Sequence, residues 1–469
     1  MKINVLMLNM ATTLMLLGSS TAYAQQVSDF KSSRGTIETC TIAAHIPGGI
    51  YTEKDLKKET EYCSLDFNNN SIALCPKTWS TSAGVVFYEL QDNLNSQQFE
   101  AQRCAMKKEN KTIAKLKFTV NEKDTSATNS KSSILYYHFS RLFNASILVP
   151  VAVKRTMDRV DLYNRVSSKA HGQGSMNSAA WKHINNWIRG TFNNITNPDL
   201  FENSDSVYGV VLHPRGVRYG TEINGVRSSW GAPQNIDFQN TAAFTALRSQ
   251  LPLLDSMREG IRKAQANPAL AKDLAGSPSD LQMVMWMQDL TEITLLDYIF
   301  SQQDRIGNID YEWQWYYVQD GAVKTLINKS DLPRSAMQSM TPPAEIADFH
   351  PQLIQKTWIG DNDAGAKINY LNYTKTTKML EGIRHYNSNL YKSLMSLNRD
   401  LIAKGPVYSY VSQSFKLSSA EISMIVNNVQ QAATILKSKC HSGQLSFDLQ
   451  PNKLILGQPT QEVVDCEGN

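Results

Sequence analysis

The stretch Leu295–Val318, LLDYIFSQQDRIGNIDYEWQWYYV, decides the fold. Its first half is apolar at helical spacing and breaks at Gln302-Gln303-Asp304-Arg305. Gly307-Asn308 is a turn pair, and a strand dense in aromatics follows it. Alternation puts Trp313, Trp315 and Tyr317 on one face, the pattern of a core strand rather than of a stacking surface. A polar Asp-Arg loop thus sits between two apolar elements. Such a loop is either an ordinary turn or a place where chemistry is done.

On the N-terminal side lie two helical runs, FTALRSQLPLLDSMREGIRKA and PSDLQMVMWMQDLTEITLLDYIFSQQ. On the C-terminal side WQWYYVQ and VKTLIN read as two strands joined by Asp320-Gly321, a good hairpin turn, and residues 345–436 are helical. Far upstream come short strands, AGVVFYEL and TIAKLKFTV, then a helix, SILYYHFSRLF, and a β-branched strand, ILVPVAV. Residues 165–245 are rich in Gly, Asn and Ser, and PRGVRYGTEINGVRSSWG reads as a hairpin-rich insertion. Strands with one helix, followed by a helical half containing a hairpin, predict an α+β fold in two lobes.

The 469 residues, 42% hydrophobic and 19% charged, are enough for a large packed core. A net charge of +4 over this length does not suggest a nucleic-acid partner. Lys2, the apolar run Val5–Leu17 and Ala22-Tyr23-Ala24 before Gln25 form a secretory signal over residues 1–24. No later run is long and apolar enough to span a membrane, so the expectation is an exported protein of the periplasm or extracellular space. The six cysteines fit disulfides in such a compartment. Cys440 and Cys466 are expected to close a C-terminal hairpin over 437–469, while Cys40, Cys63, Cys75 and Cys104 allow three pairings. Long spacings without CxxC argue against zinc. The chain carries no serine-hydrolase elbow, no HExxH and no Walker loop.

Two stretches resemble one branch of the kinase-like superfamily, the atypical secretory-pathway kinases of the four-jointed and Golgi casein kinase type, with bacterial spore-coat and persistence-toxin relatives. One is Ser132–Arg155, SSILYYHFSRLFNASILVPVAVKR, with His138, Arg141 and Pro150 at matching places; the other is the opening stretch. The resemblance implies a two-lobed kinase-like fold, with an N-lobe over 75–160 after a Cys-containing segment over 25–74. A C-lobe over 161–436 follows, interrupted by the insertion. It implies transfer of phosphate from ATP, with Mg2+ or Mn2+, to a hydroxyl on a protein or glycan. Asp304 would orient the acceptor hydroxyl, and Asn308 would be a metal ligand. The second ligand would follow the hairpin, as Asp331 or, if the aspartate is lost, Asn328. The phosphate-binding lysine would be Lys115 or Lys117, which alternation puts on one face; Lys117 is nearer the strand's apolar end. Trp79–Val86 would cover the phosphates. Three departures, Ser133 where the family has an acid, Ile306 where it has His, and a shortened Asp-to-Asn spacing, keep a second reading open: a catalytically inactive kinase-like binding or scaffold protein.

Overall fold

The computed structural model describes residues 26–469 except 92–93, 103, 105–109, 191–198, 214–215, 228, 275–277, 330–335 and 338. The expected signal segment 1–24 and Asp331 lie outside the described residues.

The chain is α+β, with an antiparallel sheet in its N-terminal part and a helical C-terminal part. The seven strands are β1 (Gln26–Lys31), β2 (Ile37–Ile42), β3 (Ile72–Pro76), β4 (Gly84–Glu89), β5 (Lys111–Lys117), β6 (Ala152–Asp158) and β7 (Ser206–Leu212). Their order is β1-β2-β6-β7-β5-β4-β3. The Cys-containing segment and part of the presumed insertion therefore belong to the same layer as the lysine strand. The sheet continues beyond the expected boundary at residue 160, because β7 pairs with both β5 and β6. The helix Ser130–Leu142 packs on β6 and β7.

The second sheet contains β8 (Val217–Arg218), β9 (Asp310–Gln319), β10 (Ala322–Ile327) and β11 (Gln352–Trp358). The aromatic stretch is β9, and it is the centre of this sheet. Asp320 and Gly321 both have positive φ, 53° and 73°, as a tight hairpin turn requires. Sequence patterning did not separate β11 from its surroundings; it reaches β9 across more than twenty residues and pairs with it from Asp310 to Tyr316.

The central helix Asp280–Phe300 is apolar on nearly every side and is buried along nearly its whole length. Ser279 caps its start by accepting from Gln282 N. It stops at Ser301, whose φ of 53° turns the chain into the Asp-Arg loop.

The disulfides are Cys40–Cys63, Cys75–Cys104 and Cys440–Cys466. The last closes the C-terminal segment as expected, but not around a hairpin. Cys440 ends the helix Ser419–His441, and Pro451–Ile455 forms a helical turn. Proline at the first helical position favours that turn, since it gives up only an N–H that has no partner there. The run Ile147–Val151 is likewise not yet strand: Leu148 makes one parallel bridge to Trp358, and the ladder starts at Ala152, past Pro150.

Candidate functional site

Lys117 ends β5 and is 3% exposed. Its Nζ donates to Asp361 Oδ1 at 2.9 Å, to Asp363 Oδ1 at 3.1 Å and to Gly360 O at 3.4 Å. Burial alone pushes this ammonium down, but Asp361 and then Asp363 outweigh it and hold Lys117 above the ordinary lysine value. Asp361 is held well below the ordinary carboxylate value, chiefly by Lys117. Its side chain remains 39% exposed, so it is reachable from the cleft.

Two more lysines stand close by, Lys77 near both acids and Lys115 near Asp361. Lys77, in the loop between β3 and β4, donates to Ser82 Oγ at 3.1 Å. Burial, with the neighbouring Lys117 charge, lowers it to about 8. Lys115 is lowered by burial and by Lys117. Lys115 and Lys117 thus stand on the same side, as alternation requires, and Lys117 is the one that binds the carboxylates. The loop of Trp79–Val86 is held at its base by Asn177 and Trp181, whose side-chain N–H groups donate to Lys77 O.

The acids come from the loop that follows β11. Asn129, just before the helix Ser130–Leu142, donates its backbone N–H to Asp363 O at 2.6 Å and its amide to Gly365 O and Ala366 O. From the other side Ala366 N donates to Phe300 O and Gln303 N to Ala364 O. The Leu148 bridge aligns the end of β11. Residues 361–366 are therefore clamped between the start of one helix and the end of another. The acids on Lys117 lie one strand beyond the hairpin, not directly after it. Asn328, the alternative ligand expected there, instead donates its backbone N–H to Trp313 O and its amide to Met340 Sδ.

The Asp-Arg loop faces this pair. Arg305 is buried and does not face solvent. It donates to Asp297 through Nε and Nη2, both at 2.9 Å to the nearer oxygens, and to Asn362 Oδ1 at 2.8 Å. Tyr136 OH completes the group by donating to Asp297 Oδ1 at 2.6 Å. One guanidinium thus ties the central helix, the Asp304 loop and the Asp361 loop together. Asp304 accepts from Trp230 Nε1 at 3.4 Å. Burial raises its carboxyl above the ordinary value, and the Asp361 and Asp363 charges raise it further. Asn308 donates its amide to Asp304 O at 2.9 Å, while its Oδ1 accepts from Arg218 Nη1 at 2.7 Å.

The stretch read as a hairpin-rich insertion builds the other wall. Asn224 Oδ1 accepts from Gly307 N and Ile309 N, and its Nδ2 donates to Tyr219 O and Ile309 O. Gln234 Nε2 donates to Ile306 O. Arg218 reaches Gly307 O, Asn308 and Asp310. Among the motif residues quoted upstream, Arg141 pairs with Asp55 at 2.6 Å, and His138 is a buried ring bonded through Nδ1 to Tyr51. Both are structural. The Ser133 hydroxyl is buried without a hydrogen-bond partner, and the acids that Lys117 meets come from the 361–363 loop.

Among the described residues, no three His, Cys, Asp or Glu side chains lie close enough together to hold a metal ion. Mg2+ characteristically uses one or two carboxylates, completing its shell with phosphate oxygens and water. The pair Asp361 and Asp363 fits that demand.

No protein-family model and no curated protein matches the chain. The solved structures to which it is similar include those of a kinase. They are crystal structures of the Golgi casein kinase. One, with Mn and ADP bound, is 11% identical and has a TM-score of 0.39, covering 83% of this chain and 77% of that one. The other is 11% identical with a TM-score of 0.40, covering 85% and 80%. Among the described residues no helix is long and apolar enough to cross a membrane.

Proposed function

We propose that the cleft is the active site of an exported atypical kinase, one that moves phosphate from ATP to a hydroxyl on a protein or glycan. The observation that carries this is the convergence of Lys117, Asp361 and Asp363 opposite Asp304, four groups drawn from β5, the loop after β11 and the loop after the central helix. Phosphoryl transfer needs positioning and charge neutralisation more than covalent participation. Lys117, kept charged by its two acids, would bind phosphate oxygens, and Lys77 and Lys115 add charge beside it. A divalent ion on Asp361 and Asp363 would neutralise the phosphates. The acceptor oxygen attacks the γ-phosphorus as the bond to the bridging oxygen breaks and ADP leaves. The hydroxyl proton goes to Asp304, whose raised affinity for protons suits a base.

The second reading, an inactive binding or scaffold protein on the same frame, is favoured by one contact: the Asn308 oxygen is already engaged by Arg218. Melting the protein with and without ATP and Mn2+ separates the two. Ligand at one hundred times its Kd stabilises by about 2.7 kcal/mol. The kinase reading expects an upward shift, together with phosphate transfer that Asp304→Asn lowers at least ~100-fold. Binding without transfer in the wild type leaves the scaffold reading standing; no shift with any nucleotide removes the kinase reading.

A further inference from the structure

Arg218 is surrounded by oxygens of four different residues at the edge of the cleft. Its Nη1 donates to Gly307 O and to Asn308 Oδ1, its Nε donates to Asp310 Oδ1, and its Nη2 lies 3.7 Å from Asp361 Oδ2. These are a backbone carbonyl, an amide carbonyl and two carboxylates. That is the oxygen set from which a hard divalent cation builds its shell.

The placement is built into the backbone. Arg218 pairs with Asp310 in the β8–β9 register, so its side chain starts beside the loop. Gly216, two residues earlier, has a φ of +101°, and a Cβ there would meet Asp310 and Tyr311 at 3.0 Å. Only glycine lets the arm come this close. Asp310 feels the consequence: burial raises its carboxyl, and Arg218 is the largest influence opposing that rise.

We infer that Arg218 is a resident cation of the cleft, standing where a second divalent ion would otherwise bind between the Asp304 loop and Asp361. This rests on the nucleotide-binding reading for its purpose, though not for its test. A guanidinium cannot lose its proton in a protein, so the charge is permanent and needs no metal supply. With it in place, the site takes a single divalent ion, on Asp361 and Asp363. Arg218 then presents its remaining N–H groups to phosphate oxygens from the opposite side.

The experiment counts bound Mn2+ by the loss of the free-ion electron paramagnetic resonance signal, with and without ADP. Arg218→Gln is expected to take up one Mn2+ more per chain than the wild type under both conditions. Arg218→Lys keeps the charge but loses the fork, so the additional ion should enter at a Mn2+ concentration at least tenfold below that needed by the wild type. This second variant keeps the test open if Arg218→Gln fails to fold. Equal counts in Arg218→Gln and wild type, or an Arg218→Lys isotherm that overlays the wild type, overturn the inference. ADP that leaves every Mn2+ isotherm and melting curve unchanged counts against the kinase reading alone, since the difference between the variants does not require nucleotide.

Discussion

Replacing Lys117 by Met is the most direct probe of the cleft. Met fills most of the volume of the buried lysine stem, so the packing loss is small and the charge loss is isolated. What remains is two carboxylates without their cation. Removing one partner of a buried pair costs about 3–5 kcal/mol. Asp363, whose side chain is 9% exposed, should bear most of that. Asp361 is 39% exposed and also faces Arg218, so solvent screening reduces its share. The expected loss is about 3 kcal/mol. Its pH dependence has a definite sign. The Asp361 proton affinity is depressed by folding, so its contribution is present above the ordinary carboxylate value of 3.8 and disappears as pH falls through the folded value. The Lys117 affinity is raised, so its contribution is present below 10.5 and disappears as pH rises through the folded value. The stability gap between wild type and Lys117→Met should be a plateau between these limits and should narrow in acid. Guanidinium unfolding followed by tryptophan fluorescence at pH 3, 5, 7 and 9 measures it. A midpoint equal to that of the wild type at pH 7, or a gap that widens in acid, would refute the pairing of Lys117 with these two acids.

Two further outcomes follow from the structure. Asn224→Ala removes the amide that satisfies Gly307 N and Ile309 N, two buried donors. At ~1–3 kcal/mol for each group left unpaired, a loss of about 3 kcal/mol is expected, with faster amide exchange at both residues; unchanged exchange would show that the loop holds without Asn224. Burial raises Glu38 to about 7 beside the fully buried Arg155. A raised acid favours the folded state while protonated, so wild type should lose stability relative to Glu38→Gln between pH 4.5 and about 7; parallel melting temperatures across that window would contradict it.

Much of the frame was legible in the sequence. Alternation, the Asp320-Gly321 turn and the continuous apolar helix are local signals, and each produced the expected element. That Lys115 and Lys117 share one face of β5 was also legible, because side chains two apart on a strand point the same way. The acids were not. Their place depends on β11, which returns to β9 only after a long irregular segment, and pairing over such a distance leaves no periodic trace. Counting onward from the hairpin therefore led to Asn328 and Asp331. LIQKTWIGDND, a short strand running into two aspartates, was the available signal. The role of Arg218 and Asn224 was hidden for a different reason. A stretch rich in glycine and polar residues looks like surface until the loop it braces is known.

The bond from Lys117 to Asp363 spans 246 residues of sequence. Contacts of this separation form late, after the loop between them has been closed. The helix that leads into the Asp304 loop can assemble earlier from nearby packing, but the cleft has no floor until β11 has docked and residues 361–366 have been clamped. A chain ending anywhere before Asp361 would therefore carry the lysine and the candidate base without joining them. Joining Lys117 to its two acids thus doubles as a check on the polypeptide, met only when three-quarters of the chain has been made and folded.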